Sequence, residues 1–138
     1  MATAETPMNK YDLAAVKAVA LCRDNPGLTP PMAWERATAE YFVPGTPAHR
    51  KGCPKNAFLG LCEDGHVQGI PSGEYIRPRK YANKEYAIAA LAILQRRPAL
   101  ADSPLALWVQ VRPCESMKHN EQMSVVVALW RRRLLENG

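Results

Sequence analysis

Twelve prolines, set mostly between apolar runs, cut this chain into short segments, and that punctuation limits its fold more than any other feature. Proline fixes φ and carries no N–H, so helix interiors must lie between these residues and turns must coincide with them. Asn9 is placed as an N-cap, with Leu13, Val16, Val19 and Ala20 following at helical spacing, so a first helix is expected over 9–23. Asp24-Asn25-Pro26-Gly27 stops it. Thr29-Pro30 then supplies a hydroxyl cap followed by proline at the first helical position, and Met32, Ala33, Ala37 and Tyr41 form a stripe with Trp34 at its edge. The run Val43-Pro44-Gly45-Thr46-Pro47 closes this second helix and opens a loop ending in His49-Arg50-Lys51.

A third helix is expected over 54–63, with Ala57, Phe58, Leu61 and Cys62 inward and Asp64-Gly65 as its stop. From 66 to 82 the periodicity fails, with only Tyr75-Ile76 suited to extended structure, so this stretch reads as one long irregular loop or a small hairpin. Ala87, Ile88, Leu91 and Leu94 mark a fourth helix over 83–97, closed by arginines that suit the negative end of its dipole. Ser103-Pro104 repeats the cap-then-proline signature. Residues 105–111 read as a short helix, although Trp108-Val109-Gln110-Val111 also alternates as a strand would. A last helix over 120–136 would turn Met123, Val126, Val127, Trp130 and Leu134 toward the core. The expected fold is therefore mainly α: a compact single domain of five or six helices over 9–138, after a flexible tail at 1–8.

At 138 residues and 47% hydrophobic, such a domain can bury a core without disulfide or metal staples. No run approaches the roughly 18 apolar residues of a membrane span, and the first ten residues lack the apolar stretch of a secretory signal. The expected setting is cytoplasmic, with Cys22, Cys53, Cys62 and Cys114 as reduced thiols.

The formal charge of +5 suits an anionic partner, although it also suits simple solubility. Between 50 and 84 seven cations face three carboxylates, so most of the excess lies in the middle of the chain. Arg50, Lys51 and Lys55 flank the start of the third helix, where free N–H groups and the dipole also favour an anion. Arg77, Arg79, Lys80 and Lys84 interleave with Tyr75 and Tyr81, a pairing that suits phosphates and stacked bases. Solvated loop charges and packed tyrosines explain the same residues. Arg131-Arg132-Arg133 is read as helix-end stabilisation rather than a binding tract.

His49, Cys53, Cys62 and His66 offer zinc-ligand types. A helix between the two cysteines would hold them about 13 Å apart along its axis, whereas sulfurs sharing one zinc lie within roughly 4 Å of each other. No metal and no cofactor is expected. Cys53 stays a reactive-thiol candidate, because a helix N-terminus and flanking Lys51 and Lys55 stabilise a thiolate, with His49 or His66 as possible bases.

Asn9-Lys10-Tyr11, Ala14-Ala15-Val16, Ala33-Trp34, Lys51-Gly52-Cys53-Pro54-Lys55 and Phe58-Leu59-Gly60-Leu61-Cys62 together resemble a bacterial family of small proteins of unknown function. The resemblance covers about the first 95 residues and implies a bacterial cytoplasmic setting, with no activity or site residues to carry over. The function expected is a non-enzymatic binding module touching nucleic acid or an acidic protein through the basic middle. The alternative is a protein-interaction module of adaptor, antitoxin or immunity type, with a cysteine-based enzyme third. Nothing in the residues indicates an oligomeric state.

Overall fold

Three hydroxyl-then-proline pairs set the helix starts. Thr29 accepts the Met32 N–H, Thr46 that of His49 and Ser103 that of Ala106, each with proline in the first turn behind it. The computed structural model describes residues 8–76 and 81–136. Within them run α1 (Lys10–Asp24), α2 (Pro30–Tyr41), a single turn α3 (Pro47–Arg50), α4 (Gly52–Glu63), α5 (Ala82–Arg96), a 3-10 segment (Pro98–Asp102), α6 (Pro104–Val111) and α7 (Gln122–Arg131). The described residues thus hold six helices of two turns or more and no strand. The 105–111 segment is helical, and the Thr46-Pro47 signature starts the turn α3 within the stretch expected to be loop. The expected tail lies almost wholly outside the described residues.

α1 opens with a reciprocal capping box: Asn9 accepts the Asp12 N–H and Asp12 accepts the Asn9 N–H, both at 2.9 Å. Its buried face is Ala14, Ala15, Ala18 and Val19, while Ala20 is exposed, so the helix is turned relative to the stripe expected from Leu13, Val16, Val19 and Ala20. The reason is steric. α1 packs on α2, whose buried face includes Ala33 and Ala37, and methyl-sized side chains on both helices let them pack closely. Trp34, expected at an edge, is buried and stacks on Phe58 of α4 at 5.3 Å between ring centroids, whereas Met32 is exposed.

α7 is the central element. Every residue from Gln122 to Leu129 is buried, and the helix packs on α1, α4, α5 and α6. An axial helix of this kind is apolar nearly all round, which Met123-Ser124-Val125-Val126-Val127-Ala128-Leu129 is. It stops at Arg131, five residues short of the expected 136. Arg133 takes a left-handed φ of 58°, and two bonds close a Schellman end: Leu134 N–H to Leu129 C=O and Arg133 N–H to Trp130 C=O. α4 ends identically, with Gly65 at φ 76° and bonds from His66 N–H to Leu61 C=O and Gly65 N–H to Cys62 C=O. The two exits then pair in an antiparallel bridge, Val67 with Leu135, through Gln68 N–H to Leu134 C=O and Glu136 N–H to His66 C=O. That bridge occupies the start of the segment read as loop or hairpin; no hairpin forms among the described residues.

Candidate anion-contacting site

α4 and α5 cross at Gly60, where a Cβ would fall 2.5 Å from Lys84 Cβ and 2.7 Å from its Cα. One turn further, Glu63 is buried. Its Oε2 accepts the N–H groups of Tyr75 and Ile76, both at 2.7 Å, and its Oε1 receives Lys84 Nζ at 2.9 Å. Lys84 also reaches Asp64 at 3.0 Å. Burial alone would raise the Glu63 carboxyl. The hydrogen bond from Lys84, the two N–H groups and the ammonium charge outweigh it and hold the group below the ordinary carboxylate value. This latch ties the irregular segment to the end of α4, so the Lys84 ammonium is spent inside the fold. Tyr75 is likewise engaged, its hydroxyl donating to the Pro71 carbonyl at 2.6 Å. Tyr81 is exposed, with Lys84 Nζ 5.7 Å from its ring centroid. Arg77, Arg79 and Lys80 lie outside the described residues.

Arg50, Lys51 and Lys55 stand at the other end of α4. Lys51, the N-cap, lies nine positions before the Gly60 crossing, roughly 13 Å along the axis. The structure therefore does not bring Arg50, Lys51 and Lys55 together with Tyr75, Tyr81 and Lys84.

What it does gather around Lys51 includes residues distant in sequence. Tyr11 and Phe42 pair at 4.7 Å between centroids, with Lys51 Nζ 5.5 Å over Tyr11 and Lys10 Nζ 5.6 Å over Phe42. The Tyr11 hydroxyl donates to the Ala48 carbonyl at 2.8 Å, fixing the ring against α3. Arg50 is exposed and Lys55 lies one turn beyond Lys51. Among the described residues no carboxylate comes within 4 Å of Lys10, Arg50, Lys51 or Lys55. α4 also begins without a side-chain cap, because Lys51 has no acceptor to offer its first-turn N–H groups. Sequence reading found Arg50, Lys51 and Lys55 but missed Lys10, Tyr11 and Phe42; Tyr11 and Phe42 are 31 positions apart, and no local pattern links them.

Beside this face lies an acidic corner. Asn9 hydrogen-bonds the Glu121 carboxylate, and Glu121 itself sits in the left-handed region at φ 72°. Burial, with the charge of Glu121, pushes the Asp12 carboxyl up to about 6 against the opposing bond from the Asn9 N–H. His119 accepts the Met123 N–H through Nε2 at 3.0 Å, and burial lowers its pKa.

Cys62 lies in the core and Cys53 in the first turn of α4, both as expected; the histidines offered as bases for Cys53 are placed otherwise. Cys53 is half-buried, and among the described residues neither His49 nor His66 hydrogen-bonds its sulfur. The buried His49 instead accepts the Gly45 N–H at Nδ1, 3.1 Å, with Nε2 3.3 Å from Glu35. Cys62 faces the core, where burial drives its thiol well above the ordinary value. Cys114, expected only to be a reduced thiol, is exposed with Sγ 3.2 Å from Ser116 Oγ. That contact, the N–H groups of Met117 and Ser116 and the Arg112 charge lower its pKa. Among the described residues no three His, Cys, Asp or Glu side chains converge as a metal would need, and no helix is long and apolar enough to cross a membrane.

No curated protein and no solved structure matches the chain at a significant level. A model of a family of unknown function, DUF6979, matches residues 8–136, a span that includes the central helix α7; it shows neither a bacterial origin nor the Lys51–Lys55 motif as a family feature. The chain belongs to that family of unknown function.

Proposed function

We propose that this protein is a non-enzymatic binding module that holds the backbone of a nucleic acid on the face made by Lys10, Arg50, Lys51 and Lys55 around the Tyr11–Phe42 pair. One observation carries the reading: these four cations have no carboxylate partner within 4 Å among the described residues, whereas Lys84 is consumed by Glu63 and Asp64. Cations with no carboxylate partner break no ion pair when they meet a phosphate, and the uncapped start of α4 adds N–H donors to the same place. Sequence-independent contacts are the expected mode. Tyr11 and Phe42 serve as the platform that fixes the ammonium groups of Lys51 and Lys10, not as base-stacking surfaces, since those cations already sit over the rings.

A gel-retardation titration of single- and double-stranded oligonucleotides at low salt tests this. Retention that weakens steeply as salt rises supports it, because bound phosphates release counterions; free migration of both probes at low salt refutes it.

A protein partner is the second reading, favoured by Leu105 and Val109, which stand one turn apart on α6 at 63% and 51% exposure. It predicts binding that is insensitive to salt and lost on Leu105→Ser with Val109→Ser.

A further inference from the structure

Away from the cationic face, a cleft of about 410 Å³ opens between the end of α1, the loop 26–30 and the segment 69–75. Apolar groups make most of its wall, among them Pro26, Leu28, Ile70 and the Tyr75 ring. The cleft persists because both sides are stiff. Prolines 26, 30 and 71 fix their own backbone angles. Tyr75 is pinned twice, by its N–H to Glu63 and by its hydroxyl to Pro71, and Glu63 is in turn held by Lys84. The latch at the end of α4 therefore supports the far wall of the cleft.

Among the described residues one charged side chain lines this cleft. Arg23 lays its stem across Gly69, where a Cβ would sit 2.9 Å from Arg23 Cγ and where φ is +82°, so the backbone there suits only glycine. Contact with the backbone along its stem orders a side chain that would otherwise lose rotamer freedom on binding. Among the described residues no carboxylate lies within 4 Å of the guanidinium. The polar groups beside it, Thr29 and Tyr75, are neutral hydroxyls, and Cys22 brings a thiol. A mostly apolar hollow of a few hundred Å³ with a few convergent polar groups is the usual form of a small-molecule site. The single planar fork of arginine meets a carboxylate through two parallel bonds; it would meet a phosphate in the same way, so it is the apolar lining that favours an organic monocarboxylate.

We propose that this cleft binds a small monocarboxylate with an apolar body, the acid on Arg23 and the body between Leu28, Ile70 and Tyr75. The site is separate from the cationic face, so it is available to a metabolite while that face is occupied.

Titration of the isotope-labelled full chain with 4-phenylbutyrate, followed by amide NMR, tests the proposal against two controls, 4-phenylbutanol and inorganic phosphate. The expected result is saturable shifts at Gly27, Leu28, Gly69, Ile70 and Tyr75, with the acid binding about tenfold more tightly than the alcohol, as one charge-assisted contact provides. Arg23→Gln should abolish that preference and Arg23→Lys should retain part of it, both with amide spectra otherwise unchanged. Arg50→Gln should leave the titration as it is. Equal shifts with phosphate, equal binding of acid and alcohol, no saturable shift at these amides, or an unchanged preference in Arg23→Gln would each overturn the proposal.

Discussion

Asp12 shows how one residue serves two opposed ends. Its Oδ2 closes the capping box of α1, while its Oδ1 is buried with no partner among the described residues, near the Glu121 carboxylate. A carboxyl raised to about 6 in the folded chain takes up a proton on folding, since the unfolded value is roughly 3.9. Its contribution is fully present below the unfolded value and is lost as pH rises through about 6. Asp12→Asn keeps an acceptor for the Asn9 N–H and removes the charge. It should stabilise the fold at pH 7.5 by about 1 kcal/mol once solvent screening is allowed for, with no gain at pH 4. Denaturant midpoints of both chains across that range check this; a substitution that destabilises equally at both ends would contradict it. The cysteines supply a second residue-level test. The hydrogen bond from Ser116, the Met117 N–H and the Arg112 charge favour the Cys114 thiolate, while burial raises Cys22 and, further, Cys62. Iodoacetamide followed by peptide mass mapping should label Cys114 first and Cys62 last; Cys53 reacting ahead of Cys114 would reverse the assignment.

At the scale of elements, helix existence was readable and helix orientation was not. Asn9, Thr29 and Ser103 announce their helices through side-chain chemistry that acts within three residues, so the caps are local facts. Which face of α1 is buried depends on Ala33 and Ala37 arriving from another helix, and the position of Trp34 depends on Phe58. The end of α7 was misread for a related reason. Its Schellman closure uses Arg133 at φ 58°, a conformation that glycine would have advertised and arginine conceals. Gly60 is the complementary case, a helical glycine kept by tertiary contact. Alanine there gains about 1 kcal/mol in helix propensity, yet its Cβ would meet the Lys84 backbone at 2.7 Å. Neither backbone can yield cheaply, so Gly60→Ala should destabilise by about 1–3 kcal/mol. Thermal unfolding of that variant decides the matter, and a raised midpoint would show that α4 and α5 do not meet there.

For the whole molecule, the arrangement is an axial helix α7 with α1 and the α4–α5 pair packed on it and α2 packed on α1 and α4, and the site follows from that plan. Composition located the positive charge in the middle of the chain but could not say that α4 would hold its two basic stretches at opposite ends. Nor could it show that Lys84 would be drawn inward by Glu63, because a buried carboxylate looks in sequence like any surface glutamate. Lys10, Tyr11 and Phe42 join Lys51 only when α1 and α2 lie against the α3–α4 junction. The account thus predicts that phosphate binding resides at one end of α4. The most direct measurement is the slope of log affinity against log salt for a 20-nucleotide probe, compared between the native chain and Arg50→Gln/Lys51→Gln/Lys55→Gln. Three lost contacts should lower the slope by about 2 to 3 and weaken binding uniformly across sequences, with the thermal midpoint unchanged. An unchanged slope, or affinity that follows the probe's sequence rather than its charge, would contradict it.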